Sequence, residues 1–342
     1  MNEALLYERL EDGRVRCQLC AHRCLIASGK RGICQVRENR EGTLHSLVYG
    51  LPISQAVDPI EKKPLFHFHP GSTSFSVATV GCNFRCTFCQ NADISQMPRD
   101  LGAIRGRDVP PDAVVSAARR YECRSIAYTY TEPTVFFEYS YDIALLAHQE
   151  GIANVYVTNG YMTPEMLEMF TSATGPPLLD AANVDLKAFR DEFYRRQCGA
   201  TLQPVLDSLV MMKQRQVWVE VTTLVIPGLN DSDEELGDVS RFIAEELGVE
   251  TPWHVSRFHP TYKLTDVPAT PAGTLQRARE IGLEAGLRYV YVGNLPGGAG
   301  ENTACPTCGQ VAIRRMGFSV LSNEAQGGVC GHCGGKIEGV GL

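Results

Sequence analysis

Between residues 51 and 296 the hydrophobic positions alternate between two periods. Short β-rich runs occur at 75–80, 125–130, 154–158, 183–187, 217–225, 254–258 and 289–292, with helix-like stretches between them. From 233 to 247, Leu236, Val239, Ile243 and Leu247 recur at steps of three and four, which sets them on one face of an amphipathic helix. Asp231-Ser232-Asp233 supplies capping oxygens ahead of it. Val205, Leu206, Leu209 and Val210 form a similar stripe. Strands alternating with helices predict βα units on a parallel sheet. Six or seven such units fit an α/β fold of the partial or complete βα-barrel type better than a compact doubly wound sheet.

In a βα barrel the working residues gather at the C-terminal ends of the strands. The 75–80 run leads into a cysteine loop, 125–130 into Thr131-Glu132-Pro133, and 154–158 into Asn159-Gly160. The 183–187 run contains Asp185 and Lys187, and 254–258 leads to His259-Pro260. Five strand ends thus carry polar or metal-binding residues toward one rim, which is an active-site layout.

The flanks differ from this centre. Residues 1–50 are a short, charged stretch rich in Cys, Arg and Gly, and 297–342 are Gly-rich with paired Cys-x-x-Cys turns. The division is therefore an N-terminal four-cysteine metal-binding segment (1–50), a barrel (51–296) and a C-terminal zinc-ribbon or rubredoxin-like unit (297–342). The run 296–300, Pro-Gly-Gly-Ala-Gly, reads as the linker between the last two.

Composition narrows the class. With 44% hydrophobic and 21% charged residues among 342, the chain reads as an ordinary globular protein with a large core. A net charge of −7 argues against a general nucleic-acid-binding surface. No apolar stretch approaches the roughly 18 residues of a membrane span, and the first residues carry no secretory pattern. A cytoplasmic location is the expectation. There, 13 cysteines are not structural disulfides. Eleven are clustered as Cys17, Cys20, Cys24, Cys34; Cys82, Cys86, Cys89; and Cys305, Cys308, Cys330, Cys333, a distribution that signals metal. Cys123 and Cys198 read as small buried hydrophobes.

The central Cys-x3-Cys-x2-Cys supplies one ligand too few for a closed tetrahedral zinc site. A [4Fe-4S] cluster normally takes four thiolates. Held by three, it leaves one iron open to a reacting ligand. Around the loop, Glu132 is an acceptor-only carboxylate suited to an ammonium group, and Lys187 a point cation suited to a carboxylate. Asp185 shares the face of Lys187. Each alone would be an ordinary surface or salt-bridge residue; together they make a receiver for a zwitterion.

Gly81-Cys82-Asn83-Phe84-Arg85-Cys86-Thr87-Phe88-Cys89-Gln90-Asn91 resembles the cluster loop of radical S-adenosylmethionine (SAM) enzymes, close to the pyruvate formate-lyase activating enzyme branch. The resemblance implies that the open iron chelates the amino and carboxylate groups of SAM. An electron from the cluster then splits SAM into methionine and a 5′-deoxyadenosyl radical that abstracts hydrogen from a substrate. It places Phe88 near the adenine and His259, in Arg257-Phe258-His259-Pro260, near the ribose. Tyr130-Thr131-Glu132-Pro133 falls where a Gly-Gly-Glu motif grips the methionine amino group, with both glycines replaced. Asp185-Leu186-Lys187 resembles the Asp-x-Lys whose lysine meets the methionine carboxylate. Thr158-Asn159-Gly160 resembles Asp-Thr-Asn-Gly, with Val157 in place of the acid.

Cys305-Pro306-Thr307-Cys308-Gly309 and Cys330-Gly331-His332-Cys333-Gly334 read as two knuckles closing on Zn²⁺, with rubredoxin-type iron as the alternative. Cys17-Gln18-Leu19-Cys20-Ala21-His22-Arg23-Cys24 with Cys34 suits Zn²⁺ or an auxiliary [4Fe-4S] cluster, and His22 could replace one sulfur. Asp58-Pro59-Ile60-Glu61-Lys62-Lys63-Pro64 reads as a solvated connector.

As a whole the chain resembles the radical SAM member of the AmmeMemoRadiSam three-component system, which implies AMMECR1-like and Memo-like proteins as functional partners. The expected activity is radical SAM hydrogen abstraction from an unidentified small molecule or peptide, supported by a one-electron donor such as flavodoxin or ferredoxin. The alternatives are a glycyl-radical enzyme activase and a non-enzymatic structural-metal scaffold.

Overall fold

The computed structural model describes residues 2–171, 177–295 and 299–342, so most of the expected linker at 296–300 lies outside the described residues. Its centre is one eight-stranded sheet: β1 (Ser54–Pro59), β2 (Thr73–Ala78), β3 (Ser125–Tyr128), β4 (Ala153–Thr158), β5 (Ala181–Asp185), β6 (Trp218–Val225), β7 (Trp253–Arg257) and β8 (Val290–Gly293). They lie side by side in sequence order. β2 to β8 are mutually parallel and β1 is antiparallel to β2. Helices α1 (Pro111–Arg120), α2 (Phe137–Gln149), α3 (Pro164–Phe170), α4 (Gln203–Gln214), α5 (Asp233–Phe242) and α6 (Ala272–Glu284) fill the six crossovers. Strands winding in one direction with helices between them give a barrel-like α/β fold. Among the described residues β8 and β1 are not paired, so the barrel is partial.

The seven expected strands are all present, with edges shifted by one or two residues. The 75–80 run begins earlier, at Thr73, because β2 gains a partner in β1, where Thr73 faces Pro59. It ends at Ala78 as the chain turns toward Gly81. The helix expected from 233 to 247 is α-helical to Phe242 and π-helical from Ile243 to Leu247, and the Ser232 hydroxyl caps it by accepting the Glu235 amide.

β1 has no signature in the sequence pattern, and the charged connector after it is not the solvated loop its composition suggests. Asp58, Glu61 and Lys63 are buried, not solvated. The chain from 60 to 68 enters the lower barrel in place of a closing strand. Leu65 and Phe68 pack there against Ala127, Val155 and Ala181, small side chains that leave the room. The amides of Phe66 and His67 donate to Glu220 at 3.0 and 2.7 Å. Charges in such a place must be paired, and Asp58 accepts from Lys62 (2.7 Å), Lys63 (2.6 Å), Ser76 (2.8 Å) and the Tyr130 hydroxyl.

The C-terminal unit, a three-stranded antiparallel sheet of Thr303–Ala304, Val311–Met316 and Ser319–Asn323, covers the N-terminal ends of the barrel strands. Its core is continuous with Phe66, Tyr289 and Tyr291. Arg315 donates to the Phe66 carbonyl at 2.7 Å while its guanidinium lies 4.4 Å from the Phe66 ring centroid. The unit is thus a floor, on the face opposite the cysteine loop.

The N-terminal segment forms two small three-stranded sheets and packs at the other end of the strands. Ala21 donates its amide to the Tyr161 carbonyl at 3.2 Å, and Thr163 donates its hydroxyl to the Gln18 carbonyl at 2.7 Å. No helix among the described residues is long and apolar enough to cross a membrane.

Candidate active site at the cysteine loop

The loop after β2 is fixed from several sides before any ligand is considered. Gly81 has φ +105°, and a Cβ there would sit 2.6 Å from a Val36 methyl, so only glycine lets the loop turn against the N-terminal segment. The Arg85 and Thr87 amides donate to the carbonyls of Cys198 and Gln197, each at 2.9 Å. The Lys263 amide donates to the Thr87 carbonyl at 2.9 Å, and the Gln96 side-chain amide to the Phe84 carbonyl at 3.2 Å. Gly199, with φ +69°, ends the π-helical turn Tyr194–Cys198 against Arg85.

Each thiol of the loop has a polar neighbour. The Phe84 amide donates to Cys82 Sγ at 3.3 Å, Asn159 Nδ2 lies 3.9 Å from it, and the Ser95 hydroxyl is 3.2 Å from Cys89 Sγ. Burial pushes the Cys82 and Cys89 thiols up, so thiolate there calls for a bound metal. Cys86 is held below the ordinary thiol range, first by its hydrogen bond with Cys198 and then, against burial, by the Lys187 charge. Cys198 is buried, as expected of a small hydrophobe, but it also borders a candidate cluster ligand. A three-thiol set with N–H and O–H donors on its sulfurs and a lysine beside it fits a [4Fe-4S] cluster.

Lys187 stands just past the end of β5. Its ammonium is 2.8 Å from Asp185 Oδ2 and 5.8 Å from the centroid of Phe88. Burial disfavours its charge, but Asp185 and Cys86 outweigh that and raise its pKa well above the ordinary value. Phe88 is buried, with its ring centroid 5.9 Å from that of Phe193.

Glu132 follows β3 and is 2% exposed. Its Oε1 accepts from the Thr134 amide (3.0 Å), the Thr134 hydroxyl (2.6 Å) and the Thr158 hydroxyl (2.7 Å), and its Oε2 from the Asn159 amide (2.8 Å). Oε2 therefore retains acceptor capacity. Burial raises this carboxyl's pKa although every donor works against it. Asn159 in turn donates to Asn83 Oδ1 at 2.7 Å. Hydrogen bonds thus link Glu132, Thr158, Asn159 and Cys82, while Cys86, Phe88, Asp185 and Lys187 form a second group in contact. His259 follows β7, is exposed, and among the described residues makes no hydrogen bond to either group.

Sequence reasoning did not assign Asn83, Asn91 or Ser95. Asn91 donates to the Tyr130 carbonyl at 2.8 Å, tying the cysteine loop to the end of β3. The buried Asn83 Nδ2 has no partner among the described residues. Their place inside or just after the cysteine motif was the available signal.

Two further thiol groups exist. In the floor, Cys305 and Cys333 sulfurs are 3.7 Å apart, and those of Cys308 and Cys330 3.9 Å. All four sulfurs lie within 4.8 Å of one another. Tetrahedral thiolates on one metal at about 2.3 Å stand about 3.8 Å apart, so this group could bind a single ion. In the N-terminal segment, Cys17, Cys20, Cys24 and Cys34 line one cavity with His22, Ile26, Arg37 and Val135.

Comparison with known proteins agrees with this geometry. Residues 76–240 match the model of the Radical SAM superfamily. A protein of Methanocaldococcus jannaschii named "Uncharacterized protein MJ0808" is 48% identical over 99% of both chains. Another from that organism, named "Putative glycyl-radical enzyme activating enzyme MJ1632", is 23% identical over 62% of this chain and 78% of its own. The crystal structure of a radical SAM methyltransferase from Sphaerobacter thermophilus has the same fold, with a TM-score of 0.52, 18% identity and 71% of each chain covered. With its three-cysteine loop at the end of the first parallel strand of a partial barrel, this chain belongs to the radical SAM superfamily.

Proposed function

We propose that this protein is an enzyme that cleaves SAM reductively and uses the resulting radical to abstract hydrogen from a small molecule or peptide. The observation that carries the reading is the gathering of Cys82, Cys86 and Cys89 beside Lys187 and Asn159 at the C-terminal ends of the strands. Three thiols leave a [4Fe-4S] cluster one open iron, and that cluster, when bound, supplies the electron that splits SAM into methionine and a 5′-deoxyadenosyl radical. The chain's own residues do the rest. Lys187 binds the methionine carboxylate, Glu132 Oε2 accepts a hydrogen bond from the methionine amino group, and Phe88 offers an apolar face to the adenine. His259 reaches the ribose from its exposed loop. A low-potential one-electron donor of the flavodoxin or ferredoxin type provides the electron, and AMMECR1-like and Memo-like proteins are the proposed partners.

The test is anaerobic incubation of the reconstituted enzyme with SAM and dithionite. 5′-Deoxyadenosine is expected from the wild type and is lost in Cys86→Ala; undiminished yield from that variant would sink the reading. A second reading, activation of a glycyl-radical enzyme, is favoured by the relative named as a glycyl-radical enzyme activating enzyme. Deuterium carried into 5′-deoxyadenosine from a labelled protein glycine would select it, and transfer from a small-molecule fraction would select the first.

A further inference from the structure

The N-terminal thiols are not arranged like those of the floor. Four thiolates on one zinc ion stand about 3.8 Å apart, and the floor sulfurs match this at 3.7 and 3.9 Å. Among the described residues the floor group alone has its donor atoms within 4.8 Å of one another. Cys17, Cys20, Cys24 and Cys34 surround a common cavity, yet no three of their sulfurs lie within 4.8 Å of one another. The same holds for Cys82, Cys86 and Cys89. A cube binds each thiolate to a different iron, so its sulfurs must lie farther apart than those on a single ion.

The cavity has other features of a cluster site. Cys17, Cys20 and Cys34 are buried, and Leu19, Ile26 and Val135 supply apolar walls. The Ile33 amide points at Cys24 Sγ from 3.5 Å. Arg37 lines the cavity and is 2% exposed; its terminal nitrogens bind Glu138, but its Nε–H is buried with no acceptor among the described residues. A buried donor without a partner is costly, and a sulfide or thiolate of a cluster would satisfy it. His22 donates from Nε2 to the Asn83 carbonyl at 2.8 Å, and the four sulfurs by themselves supply the four thiolates a cube takes.

We propose that Cys17, Cys20, Cys24 and Cys34 hold a second [4Fe-4S] cluster, which passes electrons to the cluster at Cys82, Cys86 and Cys89. With four protein thiolates this cube has no iron open to SAM, so its chemistry is electron transfer alone. One electron enters from a reduced low-potential carrier of the flavodoxin or ferredoxin class, reduces the N-terminal cube, and moves on to the central one, restoring the first. The route is short. It runs from Cys20 through Ala21 and His22, across the His22–Asn83 hydrogen bond, to Cys82. The relay rests on the proposed function of the central cysteines; the second cluster does not.

The experiment is iron, sulfide and zinc analysis with electron paramagnetic resonance after anaerobic reconstitution. Wild type is expected to carry about eight irons and the Cys82→Ala/Cys86→Ala/Cys89→Ala protein about four, as a reducible cubane whose signal SAM does not alter. Zinc in place of those four irons would overturn the proposal. The triple variant leaves the N-terminal segment intact, so its metal content does not depend on the active centre. A cubane there would stand even if wild type failed to cleave SAM, which would refute only the radical reading. Reduction of the central cluster by reduced flavodoxin should be lost in Cys20→Ser/Cys34→Ser, checked for native circular dichroism, while dithionite still reduces that cluster and gives its SAM-dependent signal. An unchanged reduction rate would overturn the relay.

Discussion

Arg37 and Glu138 form a buried bidentate ion pair, with nitrogen–oxygen distances of 2.8 and 2.9 Å and 2% exposure on each side. It joins the N-terminal segment to α2, and the Leu5 amide donates to the same carboxylate at 3.0 Å. The pair makes the segment part of the barrel's mouth rather than a tethered appendage.

Breaking it leaves one charge buried and alone. Glu138→Ala should therefore cost about 3–5 kcal/mol, whereas Arg37→Met/Glu138→Leu, which removes both charges at similar volume, should recover most of that loss. Urea midpoints of the three proteins check this. A single variant no less stable than the double would contradict it.

Glu132 and Lys187 should separate by what they lose. Glu132→Ala orphans buried donors on Thr134, Thr158 and Asn159, so it should lose at least ~2 kcal/mol of stability as well as SAM affinity. Lys187→Ala should weaken SAM binding roughly tenfold or more, the size of one charge-assisted hydrogen bond, with a smaller change in melting temperature. Calorimetric titration beside thermal melts reads both. Equal affinity of Lys187→Ala and wild type would remove Lys187 from the binding site.

The floor should bind about one zinc ion per chain through its four thiolates. Cys308→Ser should lose that metal and lower the melting temperature, because Arg315 and its bond to the Phe66 carbonyl hang from the same small sheet. Metal analysis and melts of the two proteins decide it, and retention of zinc by the variant would exclude the site.

Asp58 should set an acid limit to stability. Burial alone would raise its carboxyl, but Lys62, Lys63, Tyr130 and Ser76 together hold it well below the usual carboxylate range. A pKa depressed on folding stabilises above the unfolded value of about 3.9, and that contribution is lost as pH falls below it. Burial pushes Lys63 down to about 8. Between there and its unfolded value of about 10.4 the unfolded chain binds more protons, so this group adds stability as pH rises. Asp58→Asn should flatten the acid limb of a plot of unfolding midpoint against pH; an unaltered limb would show that Asp58 does not govern it.

The sequence by itself determined the seven parallel strands, the helical crossovers and the cysteine loop after the first of them, because period and motif are properties of neighbouring residues. It located Glu132, Asp185 and Lys187 at strand ends for the same reason. It could not assign Asp58, Glu61 and Lys63, since a charged run reads as solvated unless its partners are known, and Arg315 lies some 250 residues from Glu61 in the chain. Nor could it choose between a zinc ion and a cluster for Cys17, Cys20, Cys24 and Cys34, although it separated them from the paired knuckles of the floor. One spacing along the chain serves either a single ion or a cube, and the choice turns on sulfur-to-sulfur distances that exist only after the loops have folded. Tertiary structure decided the placement of Asp58, Glu61 and Lys63 because burial, and the pairing of charge that burial demands, depend on which distant segments meet.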